Sequence, residues 1–116
     1  ELVDIPNTIK DGQYLLDIQI INLDMDVSPS RLMLYRAASM LDDNKVGTTA
    51  AAAMAKRIST DAGFDIVNRA LQLHGGYGYL KDFPIERYLR DLRVHQILEG
   101  TNEIMRLIIA RDILRQ

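Results

Sequence analysis

The sequence predicts an all-α fold, an antiparallel up-and-down helical bundle. Three observations carry that prediction. Apolar residues recur at intervals of three and four over long segments, proline and glycine stand between those segments, and no segment shows a convincing strand alternation. At 116 residues with 47% hydrophobic content, the chain can form one domain with a small core. Helices joined by short turns then pack as antiparallel neighbours.

Residues 1–12 contain Pro6, Asn7 and Gly12 with no clean period, and read as a loop or arm preceding a domain over 13–116. Residues 14–27 are apolar at Leu15, Ile18, Ile21 and Met25, close to helical spacing, and also at Leu16, Ile20 and Leu23. The isoleucines keep a strand open there, and helix is the preferred reading. Ser28-Pro29 resembles an N-cap followed by proline in a first turn. A proline inside a helix costs about 3 kcal/mol, so a break or kink is expected at this point. The next helix runs from Pro29 to about Asp42, with rows Leu32, Arg36, Met40 and Met33, Ala37, Leu41. Asp42-Asp43-Asn44 ends it and can cap its successor.

The longest helix is expected from about Lys45 to His74. Met54, Ile58, Ala62, Ile66, Ala70 and Leu73 form its apolar stripe, and small alanines on such a stripe permit close helix approach. The run AAAA at 50–53 reads only as a strong helix former. Gly75-Gly76 stops the helix, with Gly75 placed as a C-cap glycine. Residues 77–82 read as a loop, Pro84 opens a short amphipathic helix to about Arg93, and the last helix covers 103–114.

Composition excludes several classes. The net charge is −2 with both signs dispersed, which suits neither nucleic acid nor an anionic membrane. Cysteine is absent, so disulfides, thiol chemistry and cysteine metal sites are excluded. No apolar run has the length of a membrane span and no signal pattern opens the sequence; the expectation is a soluble intracellular domain without repeats.

Three stretches could carry chemistry. In VHQILEGTNEIMR, residues 94–106, apolar Val94, Ile97 and Leu98 deliver one carboxylate, Glu99, onto Gly100. Thr101 or Asn102 can cap the helix that follows, and Glu103 sits in its first turn, where negative charge suits the dipole. Burial of Glu99 would raise its pKa toward the range of a general base. The plainer reading is an exposed acid at a helix end. In QLHGGYGY, residues 72–79, the same duality holds. Either a glycine stop folds its aromatics back on the bundle, or Gly75, Gly76 and Gly78 give a ring or pyrophosphate close access to backbone. The strand context of a Rossmann fingerprint is missing. Arg87, Arg90 and Arg93 read as a solvated face or as one paired with Glu86 and Asp91. His74 and His95 lack ligand-spaced partners, so no metal site is expected.

QLHGGYGYLKDFPIERYLRDLRVHQILEGTNEIMRLIIAR resembles the C-terminal part of the acyl-CoA dehydrogenases, flavin enzymes that desaturate acyl-CoA thioesters between Cα and Cβ. The resemblance runs from about Arg31 to Leu114. It rests on Q-x-x-G-G-x-G-[YF] and [YL]-E-G-[TS]-x-E-I-x-R at this separation, and the wording is nearest to the short branched-chain members. It implies that Glu99 is the base that removes the α-proton while the β-hydrogen leaves as hydride to FAD, and that Gly100 meets the thioester. It further implies that Thr101, Asn102 and Glu103 contact FAD, and that Gln72, Leu73, His74, Gly75 and Gly76 reach the FAD of a neighbouring subunit. Arg111 matches a position linked to the acyl pocket in some short-chain members. The implied partners are an acyl-CoA thioester, an electron-transfer flavoprotein as electron acceptor, and further copies of the chain in a dimer or tetramer. The implied location is the mitochondrial matrix, with a bacterial cytoplasm as the alternative.

The departures from the family pattern are equally specific. The resemblance implies an N-terminal helical domain, a middle β domain and a first bundle helix with an R-x-x-F-G turn, none of which is expected within these 116 residues. LLDIQIINLDMDVSPS, residues 15–30, replaces the family's continuous helix with one extra residue and a proline. The expectation is a fragment or aberrant form of the enzyme, inactive alone. A non-catalytic helical interaction module derived from the same family is the alternative function.

Overall fold

The computed structural model describes residues 13–115, and their side chains from Gln19 onward. The loop or arm read over residues 1–12 lies outside the described residues. Four helices form: α1 (Gln13–Asp42), α2 (Thr48–His74), α3 (Ile85–His95) and α4 (Asn102–Leu114), with a 3₁₀ turn at Gly75–Tyr79. Among the described residues there is no strand, so residues 14–27 take the helical reading.

Of the break or kink expected at Ser28-Pro29, the break does not occur. Pro29 lies inside α1, which continues through it for 30 residues. The Ser28 hydroxyl donates to the Asp24 carbonyl at 3.3 Å, one turn back, so Ser28 caps nothing. Length and packing against α2 outweigh the local cost of the proline, as tertiary context often does.

Residues 43–47 turn the chain into α2. Gly47, at φ 84°, is the N-cap and provides no side-chain bond, and Asn44 also takes a positive φ of 51°. Asp42 therefore ends α1, and Asp43 and Asn44 build the turn rather than cap α2, which starts at Thr48, three residues later than expected.

α2 is the axis of the molecule, since every helix packs on it and α1 packs on neither α3 nor α4. Antiparallel α1 is fixed at several heights. The Thr48 hydroxyl donates to the Met40 carbonyl, Ala37 packs with Ala51 and Ala55, and Arg69 pairs with Asp26. On the other side α3 and α4 follow one another along α2. Leu92 reaches Gly63, Gln96 bonds Asp61, Asn102 meets Thr60, and Arg111 lies beside Thr49 and Ala50. The turn between α3 and α4 thus falls at the middle of α2.

The core is alanine-rich. Ala37, Ala50, Ala51, Ala53, Ala55 and Met105 are buried, and among the described residues no large side chain is fully buried. The row of α1 that packs inward is Met33, Ala37 and Met40, whereas Leu32 and Leu41 are exposed. The stripe read from Met54 to Leu73 is half-buried, with Ile58 exposed. The run AAAA, read only as a helix former, supplies much of the core because small side chains let helices approach closely. The bundle is open: its radius of gyration is 18.3 Å, against about 13 Å for a compact chain of this length.

Candidate active site

Glu99 and Gly100 form the turn between α3 and α4, and both have positive φ, 54° and 89°. For a glutamate this costs on the order of 1 kcal/mol, so neighbouring contacts must hold it. The turn is closed by the Asn102 N–H donating to the Gln96 carbonyl at 3.0 Å. Thr101 caps α4, its hydroxyl accepting from the Ile104 N–H. Glu103 stands in the first turn. Its own backbone N–H, and then the Thr101 hydroxyl, hold its carboxyl below the ordinary value of 4.5.

The holding contacts come from α2. Asn102 is 4% exposed, the one buried polar side chain among the described residues. Its Nδ2 donates to the Thr60 hydroxyl at 2.9 Å and to Asp61 Oδ1 at 2.6 Å. Its Oδ1 accepts from Lys56 Nζ at 2.7 Å. The same ammonium donates to the Gly100 carbonyl at 2.9 Å, and Gln96 Nε2 donates to Asp61 Oδ1 at 2.9 Å. A cation and an anion on α2 thereby orient one amide between them and fasten both ends of the turn.

Glu99 itself is exposed, and Val94, Ile97 and Leu98 around it are 39%, 50% and 47% exposed. The exposure matches the plainer reading of Glu99, and the burial that would raise its pKa is not supplied by the described residues, none of which covers that end of α3. Among the described residues neither the Glu99 nor the Gly100 N–H joins a hydrogen bond within the chain. The turn thus carries an exposed carboxylate and two backbone N–H groups not engaged within the chain, next to exposed apolar side chains.

The second predicted group sits elsewhere. Gln72, Leu73 and His74 end α2, and Gly75, at φ 59° and ψ −144°, adopts a conformation open mainly to glycine. Nothing lies within 4 Å of where a side chain on Gly75 or Gly76 would begin, so their backbone is accessible. His74 Nδ1 lies 2.8 Å from the Ala70 carbonyl; it must donate there, which leaves Nε2 for an outside partner. Gly78 folds back onto α2, where a Cβ would stand 2.8 Å from the Leu71 carbonyl oxygen. Tyr77 and Tyr79 stay exposed, so the backbone returns to the bundle and the aromatics do not.

Along α2, Gln72 is about 18 Å from Thr60 at 1.5 Å per residue, so the two predicted cofactor groups do not converge within one chain. Arg111 lies in the last turn of α4, about 13 Å along that helix from Asn102, and is likewise not beside Glu99. Arg87, Arg90 and Arg93 are exposed. Arg93 donates to Gln96 Oε1 at 3.2 Å and Arg87 lies over the Tyr88 ring, so the pairing with Glu86 and Asp91 is not found. Among the described residues no three histidine or carboxylate groups gather as metal ligands, and no helix is long and apolar enough to cross a membrane. Sequence reasoning missed Lys56, Thr60, Asp61 and Gln96. The three on α2 lie more than 40 positions from Asn102 and no local pattern marks them.

Comparison with known proteins identifies the family and the fold. Residues 10–114 match the family described as acyl-CoA dehydrogenase, C-terminal domain. The mitochondrial isobutyryl-CoA dehydrogenase of Bos taurus is 45% identical over 108 residues, which cover 93% of this chain and 26% of that protein. The butyryl-CoA dehydrogenase of Megasphaera elsdenii superposes with a TM-score of 0.84 at 31% identity, over 97% of this chain and 29% of the other. A complex of PigA with FAD superposes at 0.82 and 31% identity, over 90% and 28%. The chain spans about a quarter of the length of the curated relatives it matches. With the helices, the turn and these likenesses together, the chain belongs to the acyl-CoA dehydrogenase family and corresponds to its C-terminal helical domain.

Proposed function

We propose that this chain is the base-bearing, FAD-contacting domain of a flavin-dependent acyl-CoA dehydrogenase that forms the 2,3-enoyl-CoA from a short acyl-CoA, branched chains included. The observation that carries the reading is the strained turn itself. It presents the Glu99 carboxylate beside unengaged backbone donors, and apolar residues flank it. An α-C–H next to a thioester is a poor acid, so its removal needs an aligned base and hydrogen bonds to the developing enolate. Glu99 supplies the carboxylate that takes the α-proton, and its N–H donates to the thioester oxygen as negative charge grows there. Gly100 has no side chain to hold the thioester away. A substrate and cofactor laid over this surface would exclude water from Glu99, which the chain by itself does not do.

FAD, when bound, supplies the acceptor for the β-hydrogen, which leaves as hydride with its electron pair. The residues present suit parts of that group. Thr101, Asn102 and Glu103 form one edge at the start of α4; Thr101 and Glu103 present oxygens there, and Asn102 shapes the edge because its amide is already committed to α2. Gln72, Leu73, His74, Gly75 and Gly76 form a second edge of accessible backbone with the His74 ring nitrogen. Their separation along α2 favours two edges serving two cofactors across a homo-oligomer, a dimer or tetramer. Arg111 is assigned to the far end of the acyl pocket. An electron-transferring flavoprotein would be the electron acceptor, and the mitochondrial matrix is the proposed location, with a bacterial cytoplasm as the alternative.

The test is an anaerobic mixture of the flavin-loaded holoenzyme carrying this domain with isobutyryl-CoA, butyryl-CoA and a long-chain acyl-CoA. Bleaching of the flavin with the short substrates and recovery of the 2,3-enoyl-CoA is the expected result. An unbleached flavin with all three would overturn the proposal.

A further inference from the structure

We propose that Lys56 is the positioning residue of the catalytic turn, holding Glu99 in its left-handed conformation through the Gly100 carbonyl and the Asn102 amide. The inference rests on the reading of Glu99 as base. A carboxylate that must reach a carbon-bound proton is sensitive to displacement, and an error near 1 Å can cost about 100-fold in rate. Glu99 and Gly100 both have positive φ, which a five-residue loop between Gln96 and Asn102 would not keep unaided.

Lys56 is placed to prevent that relaxation. Its ammonium bonds the carbonyl of the strained residue pair at 2.9 Å and the amide of the first helical residue beyond it at 2.7 Å. Among the described residues it forms no salt bridge, so a charged group is committed to two neutral oxygens of the turn. The opposite side of the same amide is held by Asp61, which also holds Gln96 on the near side of the turn. Lys56, Thr60 and Asp61 lie on the middle of α2, a rigid helix, so the turn is referenced to the core rather than to its neighbours in sequence. If Lys56 served stability alone, its loss would lower the folded fraction and leave turnover by folded enzyme unchanged.

The experiment measures single-turnover flavin reduction by the holoenzyme carrying Lys56→Met, with FAD content and acyl-CoA dissociation constant determined on the same preparation. The expected result is a reduction rate at saturating substrate about 10- to 100-fold below wild type, with FAD content and substrate affinity within about twofold. Lys56→Arg, which keeps charge and donors, should recover most of the rate. Because the two residues act as one unit, Lys56→Met with Glu99→Gln should be no slower than Glu99→Gln alone. If Lys56→Met does not take up FAD, Lys56→Gln is read in the same way. Wild-type reduction by the Lys56 variants, with Glu99→Gln inactive, overturns the positioning role and leaves the function standing. Normal turnover by Glu99→Gln overturns the reading of Glu99 as base, on which the positioning role rests.

Discussion

At Gly100 the backbone has φ 89°, and a Cβ there would stand 2.7 Å from Met105 Cε. The methyl end of Met105 can move, whereas the positive φ strains any residue with a Cβ. Gly100→Ala is therefore expected to destabilise the fold by about 1–2 kcal/mol in denaturant unfolding; wild-type stability would show that the turn does not need its left-handed geometry. Glu103 gives a pH signature. Its carboxyl is held below 4.5 in the folded chain by its own N–H and then by Thr101, so the stabilisation is present above the unfolded value and is lost as pH falls through the lower, folded one. Glu103→Gln should flatten the acid limb of stability against pH, and an unchanged limb would remove Glu103 from that role. Glu99, Gly100 and Thr101 were legible as residues because an acid, a glycine and a cap are adjacent in sequence. Asn102 was legible only as a cap or cofactor contact. Its partners Lys56, Thr60 and Asp61 occupy the run KRISTD, which reads locally as an ordinary helix surface.

Among the elements, α1 departs furthest from local rules. Pro29 lacks the N–H that would bond the Met25 carbonyl and crowds that carbonyl with its ring, yet the helix continues. Pro29 is exposed, so little packing is lost on replacing it. Pro29→Ala should stabilise the fold by about 1–3 kcal/mol; a loss of stability would mean that proline shapes α1 to fit α2. Helix existence and order were readable from period and punctuation. The break at Ser28-Pro29 was not, because its outcome depends on Asp26 pairing with Arg69 and Ala37 meeting Ala51 and Ala55, contacts between residues far apart in sequence. The importance of the alanine run was hidden for the same reason. Alanine signals a close approach only once the opposing helix is known.

At the scale of the whole molecule, the described residues form an open layer, with α1 on one side of α2 and α3 followed by α4 on the other. Ile20, Ile21, Met25, Leu32, Leu34 and Tyr35 stay exposed along α1, as do Leu107, Ile113 and Leu114 on α4. Apolar surface of this extent favours association, and closed symmetry is the usual result. Sedimentation of the 116-residue chain should therefore show a homo-oligomer, most simply a dimer. A monodisperse species of 13.2 kDa well above micromolar concentration would contradict it. Because the chain spans only about a quarter of the length of its relatives, the chain produced alone should also hold FAD weakly, and stoichiometric yellow protein would contradict that.

The central claim is that Glu99 carries the proton transfer, and Glu99→Gln in the FAD-loaded holoenzyme tests it most directly. The substitution keeps shape and hydrogen bonding while removing the proton acceptor. FAD content and acyl-CoA binding should remain near wild type, and single-turnover flavin reduction should fall by at least about 100-fold. Near-normal bleaching of the flavin by the variant would contradict the account and return Glu99 to the role of an exposed helix-end acid.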